Sequence, residues 1–418
     1  MFSLRRPLTV VFAMLMAVVP LSVRSLAQAS QPIPTTPWTQ VQTPNMYPSS
    51  AVARDWERIL IRTVYTEAVS PVPVGVPYLG FTSVAMRNAV RTAYRQGHAS
   101  AGAAVAVAAH DVLATYFPAS KTHLDADLAA SLAALPDGGW KNRGIRIGAD
   151  AASDMIARRT DDGRNDTSIV YARDPKPGTW QPAPGGAMLA PWLGFVDLLV
   201  LPSRIKVDGP DALTSRQYAA DYLEVKRTGA VVGADRTAAQ TDTALFFNSN
   251  SAIMISEALL SYLGQHPVSL GKTVRLFAVM HSSMTDSVIT CWRLKYAVGF
   301  WRPNQAIAGA ADDGNPATVA EPGWTPLVAT PPYSEYVSGH ACLTAPAVET
   351  IRMLLGEETP LTLHSYNTNT DRTYPTLTEI EFDAFHARIW SGLHFRDAMQ
   401  DGYYIGHTAA HRAARLIR

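Results

Sequence analysis

Apolar residues recur with helical spacing along most of the chain, whereas the alternation of apolar and polar residues that marks a half-buried strand is scarce. Alanine-rich runs such as residues 101–109 add high helix propensity and suit close packing of one helix on another. Helical periodicity covers residues 51–70, 82–96, 99–117, 145–159, 214–228, 236–247, 253–263 and 271–300. The pattern therefore predicts a mostly helical protein.

Long irregular segments separate these helices. Residues 160–204 are rich in proline, glycine and aspartate, and residues 304–337 are rich in proline and glycine. A loop as long as the second one tends to shape a binding site when it lies within a compact domain. Residues 363–377 are rich in tyrosine, asparagine and threonine, and we interpret them as a surface excursion.

The N-terminus has the pattern of a secretory signal peptide. Arg5 and Arg6 precede an apolar stretch, residues 7–23, that is short for a membrane span, and residues 27–29 fit a small-x-small cleavage site. We expect an exported protein, periplasmic or extracellular after cleavage; an uncleaved membrane anchor is the alternative. The predicted regions are a signal peptide (1–29), an extended leader (30–50), an N-terminal helical region (51–270) and a C-terminal catalytic helical region (271–418).

Composition and charge exclude some classes of function. Hydrophobic residues make up 47% of the 418 positions, which is enough for one large core or two medium ones. Removing residues 1–29, which hold three arginines and no acidic residue, changes the net charge from +1 to −2. Because the chain has no basic stripe, we expect no nucleic-acid partner. We also expect no transmembrane span in the mature form.

The chain has only two cysteines, Cys291 and Cys342, and their spacing excludes a C-x-x-C redox or zinc motif. Cys291 lies four residues before Lys295, and Cys342 lies two residues after His340, so both flank segments that carry candidate chemistry. In an exported protein they are candidates for one disulfide bridge. The alternative is a pair of buried, small apolar side chains.

Two cations lie close together in the segment KYAVGFWRP. Lys295 and Arg302 are seven residues apart, which on a continuous helix is about two turns, so both side chains would point the same way. Pro303 disfavours a helical conformation at Arg302, which we therefore expect at the end of the helix. Cations among apolar and aromatic residues tend to be buried with a partner. A solvated, charged helix face is the alternative.

The triplet Ser338-Gly339-His340 precedes an apolar run, residues 341–355. Ser338 fits a helix N-cap or a first-turn residue, and the free backbone N–H groups of a helix N-terminus suit an anion. Gly339 would let the backbone approach a ligand closely. His340 would then lie beside the anion as a candidate for proton transfer. An ordinary capped helix with a surface histidine is the alternative.

A third segment, RIWSGLHFRD, adds a cation and a second histidine. Arg388 precedes His394 by six residues, and Gly392 between them is a candidate for a break in the helix. Asp397 follows His394 by three residues and can share a helix face with it. A carboxylate there would accept the N–H of one ring nitrogen and leave the other free as a ligand or nucleophile. The alternative is a surface His–Asp pair.

Together the three segments collect three fixed cations and two histidines. This set suits an oxyanion such as phosphate or vanadate, because such an ion leaves water only against positive charge and many N–H donors. The order K-x6-R-P, then S-G-H, then R-x5-H resembles the superfamily that unites vanadium-dependent haloperoxidases, type-2 phosphatidic acid phosphatases and bacterial acid phosphatases. The likeness is greatest to bacterial haloperoxidase-like proteins, although Val337 replaces their usual proline. The resemblance implies an all-α fold of helical bundles with long irregular loops.

The resemblance also implies a role for each motif residue. His394 would bond vanadium directly, or would attack phosphorus in a phosphatase. His340 would be the acid–base residue, and Asp397 would orient His394. The oxygens of the anion would be held by a set of cationic and polar groups: Lys295, Arg302, Ser338, Gly339 and Arg388.

These roles fit two reactions. A haloperoxidase would use vanadate as cofactor and hydrogen peroxide to oxidise a halide, with Lys295 polarising the reacting oxygen. An acid phosphatase would hydrolyse a phosphomonoester through a phosphohistidine at His394, without a cofactor. The export signal and the loop before Ser338 favour the peroxidase, and a non-catalytic oxyanion-binding protein is a third hypothesis. Small-molecule substrates are expected in both reactions, and a homodimer is a candidate assembly.

Two aromatic residues are candidates for a halide pocket. Trp292 lies three residues before Lys295 and matches a tryptophan of chloroperoxidases. Tyr333 lies seven residues before His340, where chloroperoxidases have phenylalanine and bromoperoxidases have histidine. The resemblance therefore favours iodide or bromide over chloride as the halide.

Overall fold

A computed structural model of the protein describes residues 50–418. The predicted signal peptide and all but the last residue of the predicted leader lie outside these residues. The first helices are α1 Ala51–Ile61, α2 Val72–Gln96, α3 Ala101–Tyr116, α4 Lys121–Ala133, α5 Gly139–Arg158, α6 Arg216–Thr228, α7 Ala238–Phe246 and α8 Ser251–Gln265. They are followed by α9 Leu270–Val298, α10 Pro303–Gly309, α11 Ala341–Leu355, strands β1 Leu361–Ser365 and β2 Thr370–Tyr374, α12 Leu377–Trp390 and α13 Arg396–Leu416. The prediction of a mostly helical chain is confirmed.

The alanine-rich helix α3 lies in the interior because small side chains let neighbouring helices approach its backbone. Ala104, Ala106 and Ala108 are fully buried, and α3 packs on both α2 and α5. At Gly148 of α5, a Cβ atom would lie only 2.6 Å from the carbonyl oxygen of Ala104. The close helix packing expected from residues 101–109 is therefore present.

Helix α9 packs against helices from both ends of the described chain. Its neighbours include α2, α11 and α13. Apart from Arg275, every residue from 273 to 292 is buried, and apolar residues of all these helices belong to one continuous core. Because Lys295 lies on the last turn of α9, its position is set by packing along the whole helix. Among residues 50–418, no helix combines the length and the apolar character needed to cross a bilayer.

A buried carboxylate holds an irregular segment against α9. Asp286 accepts hydrogen bonds from the backbone N–H groups of Leu199 (2.5 Å), Val200 (3.0 Å) and Leu201 (2.8 Å). Burial raises the pKa of Asp286 to about 6, and the three N–H groups oppose that rise. The predicted irregular segment 160–204 is thus attached to the core by bonds from its backbone to a side chain.

Residues 363–377 lie largely at the surface, as interpreted, but the sequence analysis missed the two strands that they contribute to. Strands β1 and β2 form an antiparallel hairpin, paired from Leu361 opposite Tyr374 to Ser365 opposite Thr370. Each strand has five residues. Alternation over so short a length does not stand out from the sequence, which explains why the strands were not predicted.

Helix α2 begins ten residues earlier than predicted, at Val72 instead of residue 82. Pro73 lies in its first turn, where a missing backbone N–H costs nothing. Pro77 lies further inside the helix, in surroundings that are almost fully buried. Packing of this turn in the core outweighs the helix-breaking tendency of proline. Local sequence patterns do not reveal such packing, so the early start of α2 was not predicted.

Replacing Asp286 with alanine should destabilise the protein by at least about 2 kcal/mol. The reason is that several partly buried N–H groups lose their acceptor at once, each at a cost of about 1–3 kcal/mol. Urea denaturation of the purified protein measures the change, with the exposed Asp150→Ala as the matched control. A loss no larger than that of the control would mean that Asp286 does not anchor the segment.

Candidate oxyanion site

The backbone breaks between the first two predicted cations. Helix α9 ends at Val298 because Gly299 adopts the left-handed conformation (φ 64°). Arg302 is the N-cap residue of the short helix α10, and Pro303 follows at its first position. The prediction that Arg302 lies at a helix end is confirmed, but it begins a new helix, so Lys295 and Arg302 do not share one helix face.

Lys295 is fully buried and is held by backbone carbonyl groups. Its Nζ donates to the carbonyl oxygens of Ser334 and Glu335, at 2.9 Å each, and lies 5.0 Å from the ring centre of Tyr333. Burial, together with the charge of nearby Arg302, lowers the pKa of Lys295 to about 8. An ammonium group has three N–H donors, so one remains for a ligand.

Arg302 is also fully buried and makes three polar contacts. Its Nε donates to the carbonyl oxygen of Tyr333 at 2.9 Å, and its Nη1 donates to that of Leu393 at 2.9 Å. The same Nη1 lies 3.1 Å from Nε2 of His394. Its Nη2 is buried without a hydrogen-bond partner. Burial lowers the pKa of Arg302, yet a guanidinium stays charged, so Nη2 is a charged donor that lacks an acceptor.

Arg388, on the last turn of α12, is the third buried cation. Its Nη1 donates over 3.4 Å to the carbonyl oxygen of Phe247, and its Nε has no hydrogen-bond partner. Burial lowers the pKa of Arg388 to about 10, and Arg302 adds to the decrease. The structure thus brings the three predicted cations together, although they come from three separate segments of the chain.

His394 lies in a short connection between α12 and α13. Gly392, with φ 75°, ends the preceding turn, so the predicted break in the helix is present. Nδ1 of His394 lies 2.9 Å from Oε1 of Glu335. Since Arg302 can only donate, Nε2 must be the acceptor, and the ring proton is on Nδ1. Burial and the surrounding cations hold the pKa of His394 well below its usual range, so the ring is neutral.

Glu335, not Asp397, is the carboxylate that contacts His394. Asp397 lies in the first turn of α13, where its backbone N–H donates to Asp221 at 2.8 Å. Burial raises the pKa of Asp397 to about 7, and the neighbouring acids Asp401, Asp211 and Asp221 raise it further. The predicted orienting role of Asp397 was therefore wrong, because its side chain lies in an acidic cluster.

The Ser-Gly-His triplet stands at the start of α11, but Ser338 lies two residues before the N-cap position, not at it or in the first turn as was predicted. The N-cap position is occupied by His340, and Oγ of Ser338 accepts from the N–H of Ala341 at 3.4 Å. A Cβ on Gly339 would lie 3.3 Å from the Trp292 ring and 3.9 Å from Cε of Lys295. Glycine therefore lets the backbone pass close to the buried lysine.

His340 is partly exposed, unlike His394. Burial holds the pKa of His340 well below its usual range, and the charges of Arg388, Arg302 and Lys295 contribute. These three cations also lower the pKa of His394. Both predicted histidines therefore lie in the field of the same cations, and both are neutral near pH 7.

The candidate halide-pocket residues lie beside the cations. The rings of Trp292 and Tyr333 are 5.1 Å apart. Nε1 of Trp292 donates to the carbonyl oxygen of Leu189 at 3.1 Å. Tyr333 is partly exposed, and its ring centre is 5.0 Å from both Nζ of Lys295 and Cζ of Arg302. The two aromatic rings thus form one wall of the site.

The two cysteines are free thiols in the structure, and both are buried. Sγ of Cys291 lies 3.4 Å from the carbonyl oxygen of Val337, and Sγ of Cys342 lies 3.9 Å from that of Gly402. The disulfide considered from the sequence is not formed. The alternative reading, two buried small side chains, describes the arrangement.

Sequence reasoning missed Glu335 and the backbone acceptors of the site. Glu335 stands five residues before His340, but no residue spacing connects it with His394. The carbonyl groups of Phe247 and Leu393 leave no trace in side-chain patterns at all. Only the folded structure, in which distant segments of the chain come into contact, reveals these groups.

The arrangement fits an oxyanion. Two buried guanidinium nitrogens without partners, Nη2 of Arg302 and Nε of Arg388, are donors for the oxygens of such an ion. Lys295 adds a third donor, and neutral His394 has one lone pair at Nε2, which would pass from Nη1 of Arg302 to the central atom when the ion binds. Within the described chain, no three His, Cys, Asp or Glu side chains group to hold a bare metal ion. Vanadate and phosphate both match this donor set.

Comparison with known sequences matches the same part of the chain. A family model described as the VCPO second helical-bundle domain matches residues 275–418, which contain all three motif segments. Vanadium chloroperoxidase from Curvularia inaequalis is 32% identical over 100 residues. That match covers 22% of this chain and only 16% of the relative.

Solved structures extend the likeness to most of the chain. The crystal structure of the first bacterial vanadium-dependent iodoperoxidase is similar with a TM-score of 0.74 and 16% identity, covering 90% of this chain and 98% of that one. An apo-type bacterial vanadium-dependent chloroperoxidase is similar with a TM-score of 0.67 and 15% identity, covering 83% and 94%. At these identities the likeness concerns the fold, and the predicted all-α class of helical bundles is confirmed.

Replacing Gly392 with alanine should lower the free energy of unfolding by at least about 2 kcal/mol. Alanine is strained in the left-handed backbone conformation of this residue, and its Cβ would overlap neighbouring atoms. The new Cβ would lie 2.6 Å from the carbonyl oxygen of Gly229. Oxyanion binding should weaken as well, since His394 follows two residues later. Urea denaturation and calorimetric titration with sulfate measure both effects. The control is Gly264→Ala, where a Cβ meets open space; equal effects in both variants would contradict the account.

Affinity for sulfate, whose charge is constant near neutral pH, should fall as pH rises through about 8. The sign follows because the pKa of Lys295 is about 8 and only the protonated amine attracts the anion. Lys295→Met should remove part of this pH dependence of sulfate affinity. The remaining part belongs to Glu335, because burial raises the pKa of Glu335 to about 8. Calorimetric titrations between pH 7 and 9 measure it, with the exposed Lys272→Met as control. An unchanged slope in Lys295→Met would refute the assignment.

Proposed function

Because the chain belongs to the vanadium haloperoxidase superfamily, we propose that it is a haloperoxidase-like enzyme that oxidises a halide with hydrogen peroxide at vanadate bound by His394. The observation that carries the proposal is the pair of buried, unpartnered guanidinium nitrogens of Arg302 and Arg388 beside a neutral imidazole. A fixed site with three buried cations and two unpartnered N–H donors is matched to an oxyanion.

Vanadate would be held by several groups of this chain. Its oxygens would accept from Arg302, Arg388 and the third N–H of Lys295, and Nε2 of His394 would bond the central atom. When bound, vanadate supplies a Lewis-acidic centre that activates hydrogen peroxide without a change in its own oxidation state. The surrounding cations are fixed in place by backbone carbonyls, so they stabilise developing negative charge without reorganisation.

His340 would move protons at the site. Its low pKa keeps it neutral near pH 7, so it can accept a proton from hydrogen peroxide as a general base. Its partial exposure lets it return that proton to solvent. Lys295 would polarise the oxygen to which the halide adds, and the wall formed by Trp292 and Tyr333 would exclude water from the halide.

Hydrolysis of a phosphomonoester is the second candidate function. The neutral Nε2 of His394 also suits a nucleophile that attacks phosphorus. That reaction needs a protonated His340 to donate to the leaving alcohol, whereas burial and three cations keep the pKa of His340 low. The signal-peptide pattern and the long loop before Ser338 favour the peroxidase over the phosphatase.

We further propose that the protein acts outside the cytoplasm, on the basis of the signal-peptide pattern in residues 1–29. Iodide or bromide is the proposed halide because Tyr333 stands at the position that differs between chloroperoxidases and bromoperoxidases. Dimerisation stays a prediction.

Replacing His394 with alanine should abolish turnover, since the oxyanion would lose the imidazole that bonds its central atom. Halogenation is measured with orthovanadate, hydrogen peroxide and iodide or bromide; hydrolysis is measured with a chromogenic phosphomonoester. We expect halogenation by the wild type only after vanadate loading, and none by His394→Ala. The exposed His266→Ala serves as control. Phosphate release that vanadate inhibits would overturn the peroxidase proposal, and activity of His394→Ala would refute both functions.

A further inference from the structure

We propose that Glu335 is the positioning residue that keeps the ring proton of His394 on Nδ1 and so keeps a lone pair on Nε2, which Arg302 contacts in this structure and which the centre of the oxyanion would take. The inference rests on the proposed function for its consequence, but the geometry of the Glu335–His394 pair stands by itself. This role of Glu335 replaces the expectation from the sequence that Asp397 orients the ring of His394.

One oxygen of Glu335 binds both the ring and the backbone of the His394 segment. Oε1 accepts from Nδ1 of His394 at 2.9 Å and from the backbone N–H of Phe395 at 3.0 Å. A single bond to a ring would leave the ring free to swing about it. Two bonds from consecutive residues to the same atom fix the ring relative to its own backbone.

The backbone of Glu335 is held by the other motif segments. Its N–H donates to the carbonyl oxygen of Phe300 at 2.9 Å, and its own carbonyl oxygen accepts from Nζ of Lys295 at 2.9 Å. The residue is fully buried. Glu335 therefore connects the segment of Lys295 and Arg302 with the segment of His394, and its carboxylate is placed before any ligand binds.

Arg302 selects the same tautomer from the opposite side of the ring. Its Nη1 is a donor that lies 3.1 Å from Nε2 of His394. A proton on Nε2 would set two donors against each other. The lone pair of Nδ1 would then face Oε1 of Glu335, which accepts from the N–H of Phe395 whether or not Oε2 carries a proton. Only the Nδ1–H tautomer satisfies both neighbours, and that tautomer is the one that can bond an electrophilic centre through Nε2.

Glu335 also lies next to the acidic cluster that contains Asp397. Its Oε2 is buried without a hydrogen-bond partner. Glu335 lines a small cavity together with Tyr218, Asp211, Asp221 and Asp397. Asp397 thus lines the same cavity as Glu335, among the acids Asp211 and Asp221, and has no hydrogen bond to His394. Helix α13 begins at Arg396, so Asp397 is its second residue. The start of the helix turns the side chain of Asp397 toward the acidic cluster instead of toward His394.

Nitrogen-15 NMR of protein labelled in histidine tests the inference directly. The wild type should show a hydrogen-bonded ring proton on Nδ1 of one buried histidine, identified by its loss in His394→Ala. Glu335→Ala should lose this protected proton signal, because its acceptor is gone. Glu335→Gln keeps the shape and one acceptor oxygen, so it should retain the signal at reduced strength.

The matched variant is Asp397→Asn, which changes the acid predicted from the sequence and should keep the wild-type signal. Orthovanadate affinity, measured by calorimetry, should fall about 10- to 100-fold in Glu335→Ala, less in Glu335→Gln, and not at all in Asp397→Asn. A wild-type signal and affinity in Glu335→Ala, or their loss in Asp397→Asn, would overturn the inference.

The two readouts separate this inference from the proposed function. The ring-proton signal needs neither vanadate nor turnover. If the wild type binds no orthovanadate while Glu335→Ala still loses the signal, the proposed function fails and the positioning role stands. If Glu335→Ala does not fold, the comparison of Glu335→Gln with Asp397→Asn decides, because both replace a carboxylate with an amide of the same shape.

Discussion

Buried positive charge without a paired carboxylate is the constraint on which the site depends. Lys295, Arg302 and Arg388 are all buried, and their partners in the described part of the chain are backbone carbonyls and an imidazole rather than ion-paired acids. Removing three cations from water costs several kcal/mol each, and carbonyl dipoles offset only part of that cost. The protein tolerates this desolvation cost because the large surrounding core stabilises the fold. A bound oxyanion would offset the part of the cost that the carbonyl groups leave.

The same constraint explains the irregular architecture around the site. Regular helices use their carbonyl groups internally, so they cannot offer several acceptors to one cation. The acceptors come instead from non-helical backbone, in the segment 333–335, at Leu393 and at Phe247. Packed helices such as α9 and α12 position the side chains, and the irregular connections supply their partners. Neutral histidines complete the site, because the cations disfavour any further positive charge.

The sequence predicted the cationic part of this site well, because fixed charges among aromatic residues are unusual and their order along the chain resembles a known superfamily. It also predicted the break at Gly392, since glycine is suited to the left-handed conformation found there. It failed where contacts join distant segments. The pairing of Glu335 with His394 spans 59 positions, and the early start of α2 depends on burial of Pro77 in the core. Neither leaves a local pattern.

Crystallography with tungstate, a tetrahedral oxyanion that scatters X-rays anomalously, tests the central claim most directly. The account predicts one dominant anomalous peak, within hydrogen-bond reach of Nη2 of Arg302, Nε of Arg388 and Nζ of Lys295, and beside Nε2 of His394. A pocket without a peak in crystals grown at saturating tungstate, or a dominant peak elsewhere on the molecule, would contradict it.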